Sequence, residues 1–181
     1  MARAVASRYA RALAELVFDP SKGLDPQTAV SQLDRFQELL DAAPDLRVAL
    51  LSPAVPAARK RAVVTRLAER LEMPRLVRNF LFVLIDHRRT PLVREIREAF
   101  QGVVDERLGI RRAEVTSARP LDENEQARVA VQLGKLTGKR VVCRFALDSG
   151  LIGGLTARIG STIYDGSVRG QLEALRRRLV E

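Results

Sequence analysis

The hydrophobic pattern of this chain changes period once, near Leu108, and that change restricts the fold more than any other feature. From Ala2 to about Gly109 apolar residues recur at helical spacing, whereas beyond Leu108 stretches such as "RRAEVTSA" and "VVCRFALD" alternate apolar with polar side chains. A helix returns to the same face after three or four residues and a strand after two, so the two patterns demand different elements. The expectation is a mainly α protein: an N-terminal six-helix bundle over residues 1–105, then a small α/β C-terminal domain over 106–181. The boundary falls near Gly102 to Gly109.

In the first part Pro20, Pro26, Pro44, Pro53, Pro56, Pro74 and Pro91 divide the helical pattern into segments of bundle length. The spacing predicts helices at Ala4 to Phe18, Gln27 to Ala42, Leu46 to Leu51, Ala57 to Leu71, Arg75 to Asp86 and Leu92 to Leu108. In the second part "LDENEQARVAVQLGKL" returns to helical spacing behind an Asp-x-x-Glu capping box at Asp122 and Glu125. The predicted order there is strand, helix, strand, hairpin and final helix. Ser167 is placed to cap that last helix, whose Val168, Leu172, Leu175 and Leu179 form one stripe expected to dock on the sheet, with Arg169, Arg176, Arg177 and Arg178 mostly off it.

Charge narrows the partners only weakly. The 31 Lys and Arg against 22 Asp and Glu leave a net charge of +9, which directs attention to an acidic partner. The excess is spread over both parts, with 17 basic against 13 acidic residues through Asp105 and 14 against 9 beyond it, so no basic arm for nucleic acid stands out. Aromatics are 4% of the chain, too few for the stacking platforms that bind single strands. Cys143 is the only cysteine, which excludes an intrachain disulfide and suits a reducing compartment. The start lacks the unbroken apolar core of a signal peptide, and no run of about 18 apolar residues suggests a membrane span.

The crowded glycines of "DSGLIGGLTARIGSTIYDGSVRG" raise the question of phosphate binding. "GLIGGLT" has no Lys, "GKLTGKR" has the wrong interval and Arg140 where a hydroxyl is needed, and neither fits the dinucleotide spacing. Turn chemistry accounts for them better. Gly153 and Gly154 precede an alternating strand, Gly160-Ser161 can close a two-residue hairpin, and Asp165, Gly166 and Ser167 lead into the last helix.

The run "GLIGGLTARIGSTIYDGSVRGQLEALRRRL" closely resembles the C-terminal signature of the delta subunit of bacterial F-type ATP synthase, the oligomycin-sensitivity-conferring protein family. "SRYARALAEL" is similar to the family's first helix and "NFLFVLIDHRR" to its segment of an Asn, an apolar run and a closing Arg. The last of these departs from the family pattern at His87 and Arg88. The resemblance covers nearly the whole chain. It implies a non-catalytic subunit of the peripheral stalk, without cofactor or metal, one copy per complex, on the cytoplasmic face of the bacterial cell membrane. The helical domain would hold N-terminal helices of the alpha subunits of the catalytic head. The C-terminal domain would hold the ends of the b subunits, so that torque is coupled to ATP synthesis.

Two helices carry more apolar surface than one bundle contact needs. In the first, Val5, Tyr9, Ala12, Leu13 and Leu16 form a stripe beside a ridge of Ala6, Ala10 and Ala14; in the fifth, Phe80 to Ile85 is apolar all round. Patterning by itself favours the reading that both are simply core helices. With the resemblance added, Tyr9, Ala12, Leu13, Leu16, Phe80 and Val83 become the candidate groove for an alpha-subunit helix.

Other candidates are better explained by structure. His87, the lone histidine, lies in a basic turn with no nucleophile beside it in sequence, which argues against a catalytic dyad or metal site. Cys143 alternates with Val141 and Phe145 and reads as a small buried hydrophobe. "ARKRAVVTRLAER" is basic enough to suggest RNA, yet a helix with one solvated face explains it too. The rival function is therefore a basic RNA-binding helical module of the transcription-antitermination type; it does not account for the C-terminal hairpin and "DGSVRG".

Overall fold

Proline sets where most of the helices begin. In the computed structural model, which describes residues 2–170 and Leu172, Pro26 and Pro44 occupy the first positions of α2 (Pro26–Ala42) and α3 (Pro44–Leu51). Pro56 and Pro74 are the N-caps of α4 (Ala57–Arg70) and α5 (Arg75–Asp86). A proline at the first helical position lacks only an N–H that the helix would leave unpaired, and its fixed φ is already helical. For that reason α2 and α3 start one and two residues ahead of the expected positions. The remaining helices of this part are α1 (Ala2–Val17) and α6 (Val93–Arg107). Asp25 caps α2 by accepting the Thr28 N–H at 2.8 Å.

The chain divides into two compact units, Met1–Val104 and Asp105–Glu181. In the first, all six helices contribute to one apolar core around Leu13, Leu33, Phe36, Leu81, Leu84, Ile96 and Phe100. Ala6, Ala10 and Ala14 are buried and form the close-packing ridge of α1. Arg94 and Arg97 of α6 pair with Asp41 and Asp34 of α2, the former at 2.8 Å.

The second unit holds β1 (Ile110–Ser117), α7 (Glu123–Thr137), β2 (Arg140–Leu147), β3 (Leu155–Ile159) and β4 (Thr162–Asp165). The sheet order is β2-β1-β3-β4, with β1 and β2 parallel in register Ile110 to Arg140 and the other pairs antiparallel. The capping box forms at α7: Asp122 Oδ1 accepts the Glu125 N–H at 2.7 Å, and Glu125 Oε2 accepts the Asp122 N–H at 3.1 Å. Ala113, Val115, Val141 and Ala157 pack with Leu133 of α7 as the core. On the opposite face Glu114 and Arg158 stand directly across from one another and pair. The β3–β4 turn is two residues, with Gly160 at φ 59°, where a side chain would be strained.

Two expectations need correction. Cys143 is half-buried, because β2 is an outer strand of the sheet; burial still pushes its thiol pKa up. Val168 and Leu172 remain 39% and 56% exposed, so these two residues of the expected stripe are not docked on the sheet. Val168 instead leans on the glycine loop, donating its N–H to Gly153 O at 3.0 Å. Leu175, Leu179 and Arg176 to Arg178 lie outside the described residues.

Candidate functional site

The apolar surplus of α1 and α5 converges on one cavity of about 720 Å³. Tyr9, Ala12, Leu13 and Leu16 line it from α1, and Phe80 and Val83 line it from α5. Their roles differ. Leu13 is fully buried and Phe80 nearly so, which makes them floor, and Tyr9 meets Phe80 edge-on with ring centroids 6.5 Å apart. Leu16 and Val83 are 46% and 43% exposed, so they are walls whose apolar surface is open to water. Val5, in the same sequence stripe, does not reach the cavity.

The remainder of α5 divides by face. Val77, Leu81 and Leu84 turn into the core, while the Phe82 ring is covered by the guanidinium groups of Arg61 and Arg78 at 5.6 and 5.7 Å. Sequence reasoning missed Leu24, Leu76 and Asn79 in the lining. Leu76 and Asn79 were findable, since with Phe80 and Val83 they stand at i, i+3, i+4 and i+7 on one helix face. Leu24 sits between helices and has no periodic signal.

The glycine motif of the second unit is a backbone interlock. Gly154 has φ 81°, and a Cβ there would lie 2.4 Å from Gly166 O and 2.9 Å from the Ser167 Cα. Only glycine allows that approach without backbone movement. Gly166 N–H donates to Leu155 O at 3.0 Å, Asp165 Oδ1 accepts the Ser167 N–H at 2.8 Å, and Ser167 Oγ accepts the Gly170 N–H at 3.0 Å. Hydrogen bonding from Ser167, by side chain and backbone, holds the Asp165 carboxyl below its ordinary range. Gly153, Gly154, Asp165, Gly166 and Ser167 thus join the loop before β3 to the start of the last helix. Beside this loop is a second cavity of about 670 Å³, lined by Arg119, Glu125 and Arg128 as well as Ile152 and Val129. His87 is exposed in its turn, and among the described residues no group of three or more His, Cys, Asp or Glu is arranged to hold a metal ion.

A mainly helical chain closed by a small mixed sheet, with an open apolar trough between its first and fifth helices, defines the class. The fold is shared with a chain of the Toxoplasma gondii mitochondrial ATP synthase hexamer, at a TM-score of 0.67 and 20% identity over 97% of each chain. The sequence matches the family described as "ATP synthase delta (OSCP) subunit" over residues 5–179, and the chain belongs to that family. It is 39% identical to the ATP synthase subunit delta of Koribacter versatilis over 97% of both chains. It is 40% identical to that of Acidobacterium capsulatum, again over 97% of each. Members of this family are structural, non-catalytic components of the peripheral stalk. No described helix is long and apolar enough to cross a membrane.

Proposed function

We propose that this chain ties the catalytic head of the ATP synthase to its peripheral stalk, keeping the head from turning with the rotor. In this reading the six-helix bundle, residues 1–105, holds an N-terminal helix of an alpha subunit in the α1–α5 cavity. The α/β part, residues 106–181, holds the ends of the b subunits at the cytoplasmic face of the bacterial cell membrane. The carrying observation is the cavity: a floor of Leu13 and Phe80 with exposed Leu16 and Val83 as walls. Water-exposed leucine and valine beside a deep apolar floor are what an amphipathic helix covers with its own apolar anchors. The second cavity, with charged and apolar lining together, suits a polar helix end.

Val83→Asp and Ala12→Asp test the reading. Both residues are exposed, so the free protein solvates the new charge, and circular dichroism should show intact helices. Docking would bury that charge unpaired, at a cost of several kcal/mol, and about 1.4 kcal/mol is tenfold in affinity. Head binding should fall by orders of magnitude, with ATP hydrolysis by the detached head retained and ion-driven synthesis reduced. Full head binding by both folded variants would remove the cavity from the alpha contact.

A further inference from the structure

The same cavity carries charge of one sign. Among its lining residues only Lys22 and Arg75 are ionised, and both are cations. Lys22 ends the short 3-10 turn after α1, and Arg75 is the first residue of α5. Both are exposed, and neither belongs to an ion pair among the described residues. Asp19 is three residues from Lys22, but its carboxylate accepts the Ser21 N–H at 2.9 Å and it is not part of the lining. Three other arginines of this unit stand in ion pairs, Arg61 with Asp86, Arg94 with Asp41 and Arg97 with Asp34, and none of the three lines the cavity. Lys22 acts on the Asp19 carboxylate through its charge, yet no carboxylate lines the cavity, which is thus an apolar trough with two cations on its border.

Long cationic side chains lay their methylene stems along apolar surface and keep their heads in water, so they can both widen the trough and read what enters it. A helix with carboxylates flanking its apolar face would meet complementary charge on entry, and one with lysines there would meet like charge at a partly desolvated rim. We propose that the occupant of this cavity is an acidic amphipathic helix, selected by Lys22 and Arg75 through carboxylates that border its apolar face. This rests on the reading that the cavity accepts a partner helix.

The test uses the full chain and two synthetic helical peptides with one shared Leu/Ile face, flanked by Glu in one and by Lys in the other. The wild-type chain should bind the Glu peptide about tenfold more tightly, with the gap closing as salt is raised. Lys22→Glu/Arg75→Glu should invert the order, and Lys22→Gln/Arg75→Gln should abolish the preference. Arg59→Glu/Arg66→Glu on α4 makes the same change in net charge at exposed residues away from the lining and should leave the preference in place. Equal binding of the two peptides by the wild type overturns the inference, as does loss of the preference in the α4 variant to the same degree. Failure of both peptides to bind at any salt would instead overturn the cavity reading itself.

Discussion

In Met1–Val104 twenty-three apolar side chains are buried in one cluster drawn from all six helices, whereas among the described residues of Asp105–Glu181 the corresponding cluster has five. Around the smaller described cluster stand directed interactions: the sheet ladders, the Asp122–Glu125 capping box, the Glu114–Arg158 and Arg119–Glu125 pairs, and the close approach of Gly154 to Gly166 and Ser167. The difference teaches where each unit is vulnerable. Packing tolerates surface change and punishes cavities, while directed contacts fail at single backbone positions. The helical unit can also leave the apolar surface of Leu16 and Val83 open to water, since its buried cluster does not include them.

Breaking the comparison is simplest at the core. Phe36→Ala should destabilise the helical unit by about 3–5 kcal/mol, because the ring is fully buried and neighbouring helices cannot fill the space. Residue-resolved hydrogen exchange should show protection falling in α1 to α6 and unchanged in β1 to β4. We propose that the two parts fold independently, and an equal loss in both units would mean instead that they unfold as one body.

The converse change is Gly154→Ala. The added methyl would overlap Gly166 O in a left-handed backbone, which should cost the sheet unit about 1–3 kcal/mol. The loss should appear in β3 and β4 exchange first. A neutral outcome would show that this unit repacks as freely as the helical one.

Asp122→Ala removes half of the capping box and should cost about 1 kcal/mol, read as a lower midpoint for the sheet unit alone in denaturant. A fragment of residues 106–181 should still bind a peptide from the end of b. Retention of that peptide only by the helical fragment would reverse the assigned roles.

The smallest effect is with pH. The carboxyls of Glu114, Glu125 and Asp165 in the sheet unit are held below their ordinary ranges by Arg158, Arg119 and Ser167 respectively, while the helical unit has Asp19, lowered by Ser21. A carboxyl with a depressed folded pKa contributes stability above its unfolded value, and that contribution is lost as pH falls through the folded value. The sheet unit should therefore lose more stability than the helical unit between about pH 5 and pH 2. Glu114 and Asp165 are exposed and Glu125 and Asp19 are partly so, and the Glu–Arg contributions should also shrink in high salt.

Local chemistry was legible residue by residue. The helices begin where proline or a capping residue allows, α7 opens on Asp122 with Glu125 reciprocating, and β1 starts at Ile110, just past the change of period. These features depend on neighbours a few positions away, and a sequence displays such neighbours directly. The candidate site was legible only as surplus: Tyr9, Ala12, Leu13, Leu16, Phe80 and Val83 marked the helix faces, and the structure brings all six to one cavity. Which of them are floor and which are wall came from packing. Leu13 and Leu16 share one stripe, as Val83 and Leu84 share one apolar run, yet one of each pair is buried and the other open. Periodicity describes a single helix, whereas burial depends on what a distant segment lays against it. For the same reason only the tertiary structure put β1 between β2 and β3, left Cys143 half-buried on an outer strand, and set Lys22 and Arg75, far apart in sequence, on the border of one trough.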